Sequence, residues 1–347
     1  MTQLNMNEPV RFLSGMGRNF HGGEVEAMVG DQRVTLTLTP SDVHDPSELP
    51  EYLFGYKPFK YRGTEMCPVV PVDKDTDKFR VFSSDNAFEH VEVKASIQSA
   101  PPEIDATSSL DDYTVVDRFI GGFIPTVTEE QATYGVRTRT AARCADAIYL
   151  DMEIDITTLL GTNTNWNAAV RTAAGNVWTD ETLGTPVTDV MTAIEKSYQE
   201  VTGLWLNEKA AHIFLRHPQT KDHMRQFYGD NPPPIGQGGV ITDFQIPGLP
   251  PFHVIKSRYL SSGTMTYCLG AVVVLISGPP TPPTDGMEIM SAATFRRKGA
   301  NGTGWETREW FVNGRGPRGG NMVVVSEASN HKFVSTYAGG IITGIYT

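Results

Sequence analysis

Three histidines, His212, His217 and His223, lie close together in the chain. Imidazole is a common zinc ligand, so this is the first place to look for a metal. Their spacings do not place them on one helical face, and no carboxylate accompanies them as in a HExxH helix. They read instead as surface or loop histidines. His217-Pro218 marks a helix end, because the residue before proline is pushed out of the α region.

A second cluster is acidic. Asp151, Glu153 and Asp155 crowd one apolar-striped segment, and paired carboxylates can do acid–base work. On a helix, alternate positions point in different directions, so Glu153 cannot share a face with the other two. The expectation is a solvated or intersubunit charge cluster. Residues 299–304 (GANGTG) and 314–320 (GRGPRGG) are glycine-rich. Neither follows a strand and opens a helix, so phosphate cradling is not expected. Arg296, Arg297, Lys298, Arg308, Arg315 and Arg318 concentrate positive charge around these loops. A local nucleic-acid contact and an interface with acidic neighbours are both open, and the absence of interleaved aromatics favours the interface. No GxSxG elbow, Walker A loop or dinucleotide fingerprint occurs. No residue is therefore assigned a catalytic, cofactor-binding or metal-binding role, and the chain is not expected to be an enzyme.

Composition supports this direction. With 347 residues, the chain can build one large or two ordinary domains. Its 39% hydrophobic and 20% charged residues suit a globular protein. The 33 glycines and 23 prolines point to turns and extended arms. A net charge of −11 repels nucleic acid, which excludes chain-wide DNA binding. Cys67, Cys144 and Cys268 are odd in number and far apart, as expected of a chain folded in a reducing compartment. The first twenty residues contain Glu8, Arg11 and Arg18 and no apolar run, so a signal peptide is not expected. The longest apolar run, 267–276, is too short to span a bilayer and reads as a buried strand.

The elements predicted from periodicity are as follows. Residues 1–50 carry one alternating strand, RVTLTL at 33–38, and form a floppy terminus or an arm ordered on a neighbour. Strands at 68–72 and 78–82 and a return strand at 111–125 frame a long two-stranded excursion with a polar tip. Such a ribbon needs a partner surface, since isolated ones are marginal in water. A helix over 128–160 begins with a Thr128–Gln131 capping box and buries Ala141, Ala145, Ile148, Met152, Ile156 and Leu159. At about 1.5 Å per residue, that helix approaches ~45–50 Å. A break near Gly135 is the alternative. A second helix covers 185–201, with Thr185 as cap and Val187, Val190, Met191, Ile194, Tyr198 and Val201 on its buried face. A strand at 204–206 leads to Asn207, which caps a helix over 208–216. Strands follow at 252–255, 267–276, 305–312, 322–326, 333–337 and 341–346.

The order of these features resembles the Hong Kong 97-type capsid fold shared by major capsid proteins of tailed bacteriophages and by encapsulins. The segments that carry the resemblance most specifically are PVVPVDKDTDKFRVF, DDYTVVDRFIGGFIPTVTEEQAT, NEKAAHIFLRHPQTKDHMRQF, ITDFQIPGLPPFHVIKSRYL and YCLGAVVVLI, and the resemblance as a whole covers roughly Pro68 to the C-terminus. The resemblance implies an α+β fold with an N-terminal arm (1–67) and an extended β-loop (68–126) reaching onto an adjacent subunit. It further implies a peripheral domain (127–205 and 286–335) containing a spine helix, and an axial domain (206–285 and 336–347). As a function, it implies hexamers and pentamers of the chain forming an icosahedral shell around double-stranded viral DNA. The implied partners are copies of itself, scaffolding, portal and decoration proteins, and packaged DNA held without sequence-specific contacts. No membrane and no cofactor are implied. The location is the virion, after assembly in the host cytoplasm. Some such shells crosslink a loop lysine to an asparagine beside a buried glutamate. Lys74, Lys78 and Lys94 with Asn313 and Asn321 have the residue types but no fixed geometry.

Three other readings remain. One is an encapsulin, a bacterial cargo compartment of the same fold. Another is a β-rich hydrolase or sugar-binding module using Trp166, Trp178, Trp205, Trp305 and Trp310. The last is a tail or decoration protein of a virion.

Overall fold

The computed structural model describes residues 61–82, 109–132, 135–229, 243–278, 289–299, 304–313, 315 and 318–346, plus the backbone of three strands before residue 38. Those strands, β1 (Val10–Phe12), β2 (Glu24–Val29) and β3 (Gln32–Thr37), form an antiparallel meander. Then come α1 (Gly63–Met66), β4 (Val69–Val72), β5 (Thr76–Val81), β6 (Ser109–Thr114) and β7 (Val116–Pro125). The helices α2 (Thr126–Gln131) and α3 (Val136–Gly161) follow, then β8 (Arg171–Ala173) and α4 (Pro186–Lys196). Next are β9 (Val201–Asn207), α5 (Glu208–Arg216) and α6 (Pro218–Tyr228). The chain closes with β10 (Phe252–Ile255), β11 (Arg258–Ser261), β12 (Thr264–Tyr267), β13 (Val272–Ser277), β14 (Ala292–Arg297), β15 (Trp305–Val312), β16 (Gly320–Phe333) and β17 (Gly339–Thr343).

Two sheets organise the molecule. In the first, β16 is the spine. It pairs with β15 and then β14 along one edge and with β7 along the other, and β4 adds in parallel to β14. The second sheet has the order β10-β9-β13-β17-β8. Helices α4, α5 and α6 cover one face of it, with Trp178, Val190, Phe214 and Phe252 fully desolvated between them. The C-terminal part of α3 covers the opposite face through Ile156 and Leu160, joined by Trp166 just beyond the helix, against Trp205, Val274 and Ile341. The N-terminal part of α3 lies on the first sheet, where Ala141, Ala145, Ile148 and Met152 meet Ile124, Val323 and Val325. One helix thus seats both sheets, and each buried aliphatic side chain contributes about 1.5–3 kcal/mol.

Several expected boundaries move, for identifiable reasons. The helix expected over 128–160 is two helices. Ala132 is extended (φ −78°, ψ 135°) and Gly135 is non-helical (φ −66°, ψ 88°). The Thr128 capping box is not used. The helix begins at Thr126, whose hydroxyl donates to the Gly319 carbonyl at 3.1 Å. Leu160, rather than Leu159, is fully buried in α3. Helix α4 stops at Lys196 because Ser197 turns extended (ψ 134°), so Val201 starts β9 instead. Thr185 provides no side-chain cap, and Met191 and Tyr198 are exposed, leaving Val187, Val190 and Ala193 as the buried face.

The run 267–276 is divided between β12 and β13. Asn207 Nδ2 donates to the carbonyls of Leu269 and Gly270 at 3.0 and 2.7 Å and holds the intervening turn. The strand expected at 322–326 extends over 14 residues as β16, which ends at Phe333, and the strand expected at 333–337 does not form: residues 334–337 turn into β17. The return strand at 111–125 breaks at Val115, whose amide donates to the Asp75 carbonyl at 2.8 Å. β5 and β6 form the expected two-stranded ribbon, whose tip lies outside the described residues. Among the described residues no helix is long and apolar enough to cross a membrane.

Candidate functional site

The acidic cluster on α3 resolves into two different devices. Asp151 and Asp155, one turn apart, both bind Arg118 of β7. Nε lies 2.9 Å from Asp151, Nη2 bonds Asp155, and Nη1 donates to the Ser329 carbonyl at 3.1 Å. Burial alone would lower the Arg118 pKa. The hydrogen bonds to Asp155 and Asp151 outweigh it, so the guanidinium is held charged.

Glu153 departs from the expectation of a solvated charge. It is 1% exposed. It accepts from Ser257 Oγ at 2.8 Å and from the backbone amide of Gly63. Burial pushes its pKa above the usual glutamate range, against these hydrogen bonds. Asp151 and Asp155 lie on the exposed face of the helix, while Glu153 points to the opposite side, where Gly63 and Ser257 close over it.

Next to Gly63, Arg62 makes a two-pronged contact with Asp243, at 2.5 and 2.8 Å. Its guanidinium lies 5.1 Å from the centroid of Trp205. His253 of β10 stacks on the same indole at 4.5 Å and places Nδ1 2.9 Å from Asp243. Burial raises the Asp243 pKa, but the bonds to His253 and Arg62 prevail and hold it well below the carboxylate range. Beneath the middle of α3 lies a third polar patch. Arg296 pairs with buried Glu327 at 2.7 Å, and Thr294 Oγ1 lies 3.0 Å from His331 Nδ1. Burial drives His331 down to about 3, with Arg118 and Arg296 adding to the effect. It is a neutral structural imidazole at physiological pH.

The other residues with chemical promise do not converge. His217 is buried at the α5–α6 joint, capping Gln219 N at 3.2 Å, so it is not the surface histidine expected. His223 Nε2 lies 3.0 Å from the Pro247 carbonyl. Among the described residues no group of three or more histidine, cysteine or acidic side chains could hold a metal ion. Five of the six residues of the basic cluster pair with carboxylates of the same chain. Arg297 reaches Asp75 and Asp117, Lys298 reaches Asp73, and Arg318 reaches Glu130. Arg315 lies over the Phe123 ring at 4.7 Å. The acidic neighbours of these paired residues are intramolecular.

Trp166, Trp178, Trp205 and Trp305 are core residues, leaving Trp310 at 39% exposure. That is no sugar-stacking platform. Asn321 donates to Glu129 at 2.9 Å and Lys74 pairs with Asp77 at 2.9 Å, while Lys94 lies outside the described residues. A depression lined by Asp117, Arg297, Glu306 and Glu327 encloses only ≈ 10 Å³, far below the several hundred Å³ of a substrate pocket.

What the surface offers is contact area. Strand alternation puts Phe119, Gly121 and Phe123 of β7 on the face of the first sheet that turns away from α3. Register brings Phe123 and Trp310 to either side of Met322, and Gly121 and Arg308 to either side of Val324. Phe119 is 75% exposed. Phe119 and Trp310 leave apolar surface exposed on this face. Sequence reasoning missed Arg118, Arg62, Asp243 and Ser257. The readable signal was Arg118, a lone cation in the strand VDRFIGGFIP.

No family model matches the sequence, and no curated protein matches it. Solved structures do match. A phage-related protein from Bordetella bronchiseptica RB50 aligns with a TM-score of 0.63 at 17% identity, covering 87% of this chain and 98% of that one. A protein assigned as the capsid protein of a prophage from Escherichia coli CFT073 aligns with a TM-score of 0.54 at 12% identity, covering 86% and 99%. The chain therefore has the α+β Hong Kong 97-like capsid fold.

Proposed function

We propose that this chain is a major capsid protein of a tailed bacteriophage, building an icosahedral shell of hexamers and pentamers around double-stranded DNA. The observation that carries this reading is architectural. A 26-residue helix seats two sheets; one face of the β5–β6 ribbon packs on the first sheet through Phe79 and Tyr113 against Phe295, while Leu110 on the ribbon, 61% exposed, and Phe119, 75% exposed, leave apolar surface uncovered among the described residues. A two-stranded ribbon is marginal alone, and extended pieces bury area efficiently on a neighbour. Many modest contacts per subunit then suffice for a stable shell. No catalytic role is assigned.

The division proposed is an arm at 1–67, an extended loop at 68–126, a peripheral domain from 127–205 and 286–335, and an axial domain from 206–285 and 336–347. β8, α4 and β9 are built into or onto the second sheet, so we move them from the peripheral to the axial unit. Scaffolding, portal and decoration proteins are the proposed partners, with assembly in the host cytoplasm and residence in the virion. The acidic chain suits an inner wall that does not bind the packaged DNA. The test is the content of particles purified from infected or induced cells. Nuclease-protected duplex DNA is expected, and a co-purifying enzyme cargo in place of DNA would move the assignment to an encapsulin.

A further inference from the structure

Residues 61–67 do more than connect. Arg62 is bound to the edge of the second sheet through Asp243 and Trp205. The next residue, Gly63, donates its amide to Glu153 on α3. Met66 and Cys67 are fully buried between α3 and the second sheet. The Cys67 carbonyl accepts from Thr294 of β14 at 3.0 Å, and the chain then enters β4 of the first sheet. Within a few residues this segment is fastened to both sheets and to the helix that seats them.

The fastenings are also cross-linked. Asp243 accepts from the amide of Val254 in β10 at 3.1 Å, and Ser257, just beyond β10, donates to Glu153. Asp243 and Glu153 therefore grip consecutive residues of the strap from two different structural bodies. Gly63 fits because it has no Cβ. An added one would lie 2.8 Å from Glu153 Oε2 and 2.9 Å from Ile156 Cδ1.

We propose that residues 61–67 are a conformational coupler. A change in the path of the preceding N-terminal segment is received at Arg62–Gly63 and passed to the second sheet through Asp243 and to helix α3 through Glu153. In the shell reading, on which its biological use rests, this lets arm contacts with neighbours bias the angle between the two sheets of one subunit. Arg62, Asp243 and Glu153 are positioning residues, and coupling between sites is a free energy that must be reciprocal.

The test is a double-mutant cycle on the full-length subunit with the isosteric variants Asp243→Asn and Glu153→Gln, read by hydrogen exchange. Asp243→Asn is expected to speed exchange about tenfold at Gly63–Met66 and in α3 around Glu153. Glu153→Gln is expected to do the same at Val254, and the pair to be non-additive. In an Arg62→Ala background the non-additivity should vanish. Strict additivity, or faster exchange confined to each variant's own neighbours, would overturn the proposal. The measurement needs only the subunit, so failure of the shell reading would leave its result interpretable.

Discussion

The amide of Gly63 donates into the buried carboxylate of Glu153, 90 residues later in the chain. This contact fixes where the chain coming from the N-terminal segment meets the helix that carries both sheets. It also leaves no room for a side chain at residue 63. Gly63→Ala is predicted to destabilise the subunit by about 1–3 kcal/mol through overpacking, measured by urea denaturation. An unchanged midpoint and slope would contradict the geometry.

Glu153 gives a pH dependence with a definite sign. Burial holds its pKa above the ordinary glutamate value. A carboxyl raised on folding binds its proton more tightly in the native state. Its contribution is complete below the unfolded pKa and is lost as pH rises through the folded one. The stability of the wild type minus that of Glu153→Gln is predicted to fall as pH rises above the ordinary glutamate range. A difference that rises over this window contradicts the assignment.

Arg118 is 12% exposed and spans two carboxylates and a backbone carbonyl. A lysine is a single point donor and cannot reproduce that fork. Arg118→Lys is predicted to cost about 1–3 kcal/mol. A double-mutant cycle with Asp155→Asn should show coupling. Full additivity would show that the pair contributes nothing.

The seat of α3 on the first sheet is apolar, with Met152 1% exposed. Met152→Asp places an unpaired charge there and is predicted to cost about 3 kcal/mol or more. Thermal melting of the isolated subunit checks this. An unchanged melting temperature would refute the helix face assigned to the core.

Phe119 tests the opposite surface. It is exposed in the subunit, so Phe119→Ser should leave stability within about 0.5 kcal/mol while reducing the yield of assembled particles. Normal assembly would remove the outer face of β7, β16 and β15 from the list of subunit contacts.

Local chemistry was legible in the sequence, and long-range chemistry was not. Asn207 announces the start of α5 and does cap it, accepting from Ala210 N at 2.8 Å. The stripe from Ala141 to Ile156 correctly marks the buried side of α3. Glu153 was misread because nothing near it in sequence reveals that Ser257 and Gly63 would close over it. β16 was expected to end at Ser326 because Glu327, Ser329 and His331 interrupt its apolar alternation. Their partners, Arg296, Arg118 and Thr294, come from other strands. The basic cluster shows the same limit, since Asp73, Asp75 and Asp117, which pair with Arg297 and Lys298, lie far away in the chain.

The most direct measurement is electron microscopy of the purified full-length chain, alone and with its candidate scaffolding protein. The account predicts closed shells, or rings of five and six subunits, with the β5–β6 ribbon of one subunit lying on its neighbour. A uniform monomer under every condition would contradict it.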